Sequence, residues 1–170
     1  MTDDVRAAPA RILIAEDETI IRLDLRDLLE RAGHEIVAEA RDGEEAVLFA
    51  RTHEPELVVM DVKMPRLDGI DAARKILGER PVPIVMLTAY GQDDLVHRAV
   101  EAGVFAYLVK PFREQDLVPA IATAKARHAE LSAVREEAES LSEALVRDEL
   151  GGTLSLADDG GLRAEVVFPA

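Results

Sequence analysis

The stretch Leu57-Val58-Val59-Met60-Asp61-Val62-Lys63-Met64-Pro65 places one carboxylate directly after four apolar residues. A short unbroken apolar run is the pattern of a strand covered on both faces, as in a parallel sheet. Asp61 then stands at the carboxyl end of that strand. Asp68-Gly69 opens the helix that follows and ends near Gly78. The same grammar recurs on both sides. Ile12–Ala15 runs into Glu16-Asp17, Ile84–Leu87 into Thr88, and Tyr107–Val109 into Lys110-Pro111. If these strands are parallel neighbours, acids, a hydroxyl and an ammonium converge on one edge of one sheet.

Helical signals fill the intervals. Thr19–Arg31 carries Ile20, Leu23, Leu25, Leu28 and Leu29 at mainly helical spacing, and Gly33 ends it. Asp42-Gly43 caps a helix through Ala46, Val47 and Ala50, and Gln92–Ala102 is a helix stopped by Gly103. With Arg11–Ala15, Glu35–Ala38, Leu57–Met60, Pro83–Leu87 and Val104–Val109 as strands, the pattern predicts an α/β fold with a five-stranded doubly wound parallel sheet. In such sheets the ligand site lies beyond the carboxyl ends of the strands, where the strand order switches.

Composition narrows the classes. The chain has 170 residues, 48% of them hydrophobic but only 4% aromatic, so Val, Ile, Leu and Ala must fill the core. With no cysteine, disulfides, thiolate zinc sites and cysteine nucleophiles are excluded. A net charge of -14 makes nucleic acid and anionic membranes poor partners. Met1–Ala10 does not read as a signal peptide, and no apolar stretch approaches the ~20 residues of a membrane helix. A cytoplasmic location is the expectation.

From Leu117 to about Leu150 a long helix is predicted, with Leu117, Ile121, Ala124, Leu131, Val134, Ala138, Leu141 and Leu145 spaced mostly by threes and fours. With His128 in the gap after Ala124, steps of three on either side of Leu131 break a strict heptad, leaving an irregular coiled coil or an amphipathic helix packed on another. Gly151–Pro169 reads as a β-hairpin turning at Asp158-Asp159-Gly160-Gly161, which needs a partner to be stable. The implied organisation is a domain over 10–130, a helical extension over 131–150 and a hairpin tail over 151–170. From Arg113 onward, six basic residues face twelve acidic ones, unlike a nucleic-acid-binding module.

The converging residues suit phosphoryl chemistry. A carboxylate can attack phosphorus only if its repulsion of the incoming group is cancelled, and Mg2+ prefers such oxygen ligands. Glu16 and Asp17 supply anionic oxygens beside Asp61, the candidate nucleophile, which would form an aspartyl phosphate. Lys110 would pair with one phosphoryl oxygen and Thr88 would donate to another, stabilising charge on the equatorial oxygens. The blander reading is that Glu16-Asp17 only caps the helix from Thr19, and that Asp61 is a turn residue. His34, His53, His97 and His128 are scattered and fit surfaces or helix ends better than a metal site.

Ile14-Ala15-Glu16-Asp17-Glu18, Met60-Asp61-Val62-Lys63-Met64-Pro65 with Asp68-Gly69, Leu87-Thr88-Ala89 and Tyr107-Leu108-Val109-Lys110-Pro111-Phe112 closely resemble the receiver domain of bacterial two-component response regulators. The resemblance implies a flavodoxin-like receiver over about 10–130, a signalling switch rather than a metabolic enzyme. Asp61 would be the phosphoacceptor for a sensor histidine kinase. Glu16, Asp17, Asp61 and the backbone carbonyl of Lys63 would hold Mg2+. Thr88 and Lys110 would sense the phosphoryl group, Tyr107 would be the switch aromatic, and Lys110-Pro111 would be cis. Homodimers through the face from the fourth to the fifth helix, or through the C-terminal helix, would follow.

The receiver and long helix are also similar to actinobacterial antitermination regulators, whose small RNA-binding domain has no counterpart here. The hairpin weakly resembles the closing hairpin of a histidine-kinase ATPase domain, without that domain's nucleotide-binding boxes. Three rivals stand beside the switch. An RNA-binding antitermination regulator with a replaced output domain needs a basic surface. A phosphohydrolase of related topology would place a second Asp at the position of Lys63. A structural protein would keep the pocket without using it.

Overall fold

The computed structural model describes residues 8–89, 93–104, 106–149, 153–158 and 162–167, with backbone only for 93, 146–149 and the last two segments. The chain divides into two compact units, 1–127 and 128–170.

In the first unit strands and helices alternate: β1 (Arg11–Ala15), α1 (Thr19–Arg31), β2 (Glu35–Ala40), α2 (Gly43–His53), β3 (Leu57–Asp61), α3 (Gly69–Glu79), β4 (Ile84–Ala89), α4 (Asp93–Glu101) and β5 (Ala106–Lys110). The helix α5 (Glu114–Glu149) follows. The five strands are parallel in the order β2-β1-β3-β4-β5, so the order switches between β1 and β3.

Period-two alternation sends strand residues to two cores, one on each face of the sheet. Leu13, Val58, Met60, Ile84 and Met86 join Ala46, Ala50, Ile70, Ala72, Ala73 and Ile76 of α2 and α3. Ile12, Ile14, Leu57, Val59, Val85 and Leu87 join Leu25 and Leu29 of α1 and Leu117, Ile121 and Ala124 of α5. Each full burial of such an aliphatic side chain contributes about 1.5–3 kcal/mol. Small alanines on α2 and α3 fill the contact where few aromatics exist.

Local signals position the helices. The Asp42 carboxylate accepts from the Glu45 N–H at the start of α2, and Asp68 accepts from the Asp71 N–H at the start of α3. β2 runs two residues past the expected Ala38, and β4 extends to Ala89, which places Thr88 within the strand. β5 is shifted from the expected Val104–Val109 to Ala106–Lys110. Pairing with β1 and β4 sets these ends, because each extra residue gains a ladder partner.

The irregular step near Leu131 has a structural counterpart. Before it, Leu117, Ile121 and Ala124 are buried in the core. After it, Leu131, Val134, Leu141 and Leu145 are exposed. The second unit also contains a two-stranded antiparallel sheet, β6 (Thr153–Asp158) and β7 (Leu162–Val167), as expected of a hairpin. Its register pairs Leu154 with Val166, Leu156 with Ala164 and Asp158 with Leu162. The expected turn at Asp158–Gly161 lies in part outside the described residues.

Candidate functional site

The site forms where strands end beside the switch in order. Asp61 is the last residue of β3, and Lys110 the last of β5. Glu16 and Asp17 lie just beyond β1, held there because the Glu16 N–H donates to the Ala40 carbonyl (3.0 Å) and so prolongs the sheet. The Val62 N–H likewise donates to the Leu87 carbonyl at 3.0 Å. Leu87 pairs with Asp61, and Thr88 pairs with Val109, so neighbouring rungs carry the polar groups.

One oxygen each from Glu16, Asp17 and Asp61 lies within 4.8 Å of the others. Glu16 and Asp61 are buried, whereas Asp17 is exposed. Lys110 Nζ lies 2.7 Å from Glu16 Oε2 and 3.1 Å from Asp61 Oδ1. One ammonium thus bridges two of the three carboxylates. Burial raises the Glu16 carboxyl above its usual range, despite the opposing hydrogen bond from Lys110. Burial also raises Asp61; the Lys110 charge opposes this, and the Asp17 charge adds to it. Burial depresses Lys110, but its hydrogen bond to Glu16 and the Asp61 charge outweigh that, leaving it raised.

The blander capping role is partly realised. Glu16 Oε1 accepts from the Glu18 N–H at 3.1 Å, but Glu18, the residue before α1, offers no side-chain cap. Glu16 therefore serves both the loop and Lys110. The Thr88 hydroxyl is buried and donates to the Ala89 carbonyl at 3.3 Å. Tyr107 is 53% exposed on β5, and the Lys63 side chain is exposed in the loop after β3. Lys110-Pro111 is cis. Tyr90 lies outside the described residues.

Oxygen donors alone, clustered with an excess of negative charge, are the donor set a hard dication such as Mg2+ takes. Among the described residues, this trio is the group of acidic or imidazole side chains close enough to share a metal ion. His34 lies just past the end of α1, one of the two placements expected of it, but it is not solvated. It is buried, and its Nδ1 accepts from the Ala10 N–H at 3.2 Å.

Sequence reasoning placed Gly69 and Asp42 at helix starts but missed their part in holding the loops, and missed Arg22 altogether. Gly69 has its N–H on the Val62 carbonyl, and a Cβ there would lie 2.0 Å from the Asp61 carbonyl oxygen. Asp42 pairs with Arg66 at 2.9 Å, tying the start of α2 to the loop after β3. Arg22, one turn into α1, donates to the Glu16 carbonyl at 2.6 Å. Helical side chains lean toward the N-terminus, a rule that could have pointed to Arg22.

A flavodoxin-like sheet with a lysine-bridged acidic pocket at its carboxyl edge defines the structural class. Residues 12–122 match the response regulator receiver domain, and the chain belongs to that family. It is 57% identical over 144 residues to the transcriptional regulatory protein PdtaR of Mycobacterium tuberculosis, covering 85% of this chain and 70% of the relative. It is 40% identical over 112 residues to the chemotaxis protein CheY of Bacillus subtilis, covering 65% of this chain and 93% of that one. A solved two-component response regulator of the LuxR family from Aurantimonas sp. SI85-9A1 superposes with a TM-score of 0.66 at 36% identity, covering 70% of this chain and 86% of that one. Receivers are signalling switches, generally not enzymes, that work with histidine kinases and bind Mg2+ at an acidic pocket. Among the described residues, no helix is long and apolar enough to cross a membrane.

Proposed function

We propose that this chain is the phosphoacceptor of a two-component phosphorelay, with its receiver over 10–130. The observation that carries this reading is Lys110 Nζ set 2.7 Å from Glu16 and 3.1 Å from Asp61, inside a cluster of three carboxylates. Glu16, Asp17, Asp61 and the Lys63 carbonyl would hold Mg2+, which supplies the positive charge that lets anions approach one another. An Asp61 oxygen attacks phosphorus of a phosphohistidine on the sensor kinase. The P–O bond forms as the P–N bond breaks, and the imidazole takes a proton. Lys110 moves from its carboxylate partners to a phosphoryl oxygen, and the Thr88 hydroxyl donates to another.

Thr88 drawn toward the phosphoryl group leaves room for Tyr107 to turn inward, a two-state change biased by local charge. The face from α4 to α5 would carry the output. Leu131, Val134, Ala138, Leu141 and Leu145 follow steps of three and four, and four of the five are exposed large apolar residues. That stripe supports self-association through the helical extension over 131–150, a short coiled coil. The hairpin over 151–170 would add to partner docking. The lack of a membrane-spanning helix among the described residues accords with a cytoplasmic switch.

Intact-mass measurement with a small phosphodonor and Mg2+ tests the reading: a gain of about 80 Da, one HPO3, is expected. No gain under excess donor overturns it. Size analysis of the same sample reads any coupled assembly. The second reading, an RNA-binding antitermination regulator, draws on the similarity to a transcriptional regulatory protein. The acidic tail opposes it, and salt-dependent RNA affinity would establish it.

A further inference from the structure

The carboxylates of the site are fixed by a peptide that must itself be fixed. Glu16 and Asp17 lie between the end of β1 and the start of α1, and Glu18, the residue before α1, has no side-chain cap. The Glu16 N–H is held by the Ala40 carbonyl of β2 at 3.0 Å. On the other side of the same residue, Arg22 Nη1 donates to the Glu16 carbonyl at 2.6 Å and approaches the Asp17 carbonyl at 3.4 Å. The Arg22 side chain is only 12% exposed, and its Nε lies 3.7 Å from Glu39 Oε1, one residue before Ala40. Arg26 shares the same carboxylate, at 3.3 Å. The loop is therefore clamped between β2 and the first turn of α1.

We propose that Arg22 is a positioning residue for the divalent-cation site, fixing the Glu16-Asp17 peptide through its carbonyl oxygens. This rests on the reading of the site given above. Asp17 depends most on the clamp. It is the exposed member of the trio, so its backbone rather than surrounding packing sets where its carboxylate can point. Arg22 carries a positive charge, and a cation beside a dication site weakens ion binding by Coulomb repulsion. Charge and positioning therefore predict opposite signs. Removing Arg22 tightens divalent binding if its charge is what matters, and loosens it if its grip on the carbonyls is what matters. Groups that orient metal ligands typically account for 10–100-fold in affinity.

Calorimetric titration of Mn2+ into the full chain, without phosphodonor and at fixed ionic strength, separates these. The parent should bind one ion, and Asp17→Asn should lose it. Arg22→Met should bind about tenfold more weakly, and Arg22→Lys, which keeps the charge and reaches one carbonyl, should fall between. In phosphorylation assays Arg22→Met should raise the Mg2+ concentration for half-maximal labelling by a similar factor, with the rate at saturating Mg2+ little changed. A merely structural role would not produce that split. Equal or tighter binding by folded Arg22→Met overturns the proposal while leaving the metal site standing. If Arg22→Met fails to fold, Arg22→Lys decides, because it keeps the charge: binding several-fold weaker upholds the clamp, and unchanged binding overturns it. A parent that binds no ion removes the cation site itself, and the proposal with it.

Discussion

The two edges of the one parallel sheet treat buried polar groups in opposite ways. At the carboxyl edge, Glu16 and Asp61 are carboxylates whose burial raises them, answered by a single Lys110. At the amino edge, His34 accepts the Ala10 N–H, and burial followed by the Lys125 charge lowers its affinity for protons. Lys125 of α5 donates to the Ala8 carbonyl nearby, at 3.2 Å. The amino edge thus satisfies its polar groups within the chain. The carboxyl edge keeps surplus negative charge, which costs stability and suits a cation and a phosphoryl group. Function here is a local departure from what folding alone would favour.

The sharpest way to break this contrast is Asp61→Asn. We expect complete loss of the gain of about 80 Da, together with metal-free stability higher by about 1 kcal/mol in denaturant titration, because a buried surplus charge is gone. A destabilised Asp61→Asn would show that the carboxyl edge is not under electrostatic tension.

Next in size is Gly69→Ala, whose Cβ would meet the Asp61 carbonyl oxygen at 2.0 Å. Backbone would have to move, and a loss of about 3 kcal/mol is expected from the denaturation midpoint. Near-parent stability would mean that the close packing after β3 is dispensable.

At the other edge, His34→Ala removes the acceptor of the Ala10 N–H and should cost about 1–3 kcal/mol. Phosphoryl uptake should persist, since nothing at the carboxyl edge is touched. Loss of uptake in folded protein would contradict the separation of the edges.

The smallest effect is the pH response, read as unfolding free energy against pH in the metal-free chain. His34 is lowered, so the unfolded chain takes its proton first. Stability should fall as pH drops from about 6.5 through the depressed folded value. Glu16 and Asp61 are raised, so the folded chain holds protons that the unfolded chain has released. Their contribution falls as pH rises from about 4 to the raised folded values, and returns on acidification. His34→Ala should abolish the first slope, and Asp61→Asn should flatten the second. Divalent cation should suppress the second alone, because it binds the charged carboxylates.

Legibility followed the range of the interactions. Asp61 after Leu57–Met60, or Lys110 after Tyr107–Val109, could be placed at a strand end because strand burial writes itself as a local apolar run. Asp42 and Asp68 could be read as caps because capping acts over three residues. Arg22 and Glu39 could not be paired in advance, because they are 17 positions apart and meet only once β2 lies beside β1. His34 carried no signal separating a surface from an interior imidazole. In α5 the same apolar spacing occurs at Leu117–Ala124 and Leu131–Leu145, yet only the first set is buried. Periodicity marks a helix and its apolar face, not what covers that face.

By itself, the sequence determined the alternation of strand and helix, the parallel sheet and the chemical types at its carboxyl edge. Those features are written in apolar runs, breakers and caps a few residues long. Only tertiary structure decided that Lys110 sits between Glu16 and Asp61, that Arg22 grips the acidic loop and that His34 closes the opposite edge. Such contacts join elements far apart along the chain, and burial, which sets their strength, exists only after the layers have packed.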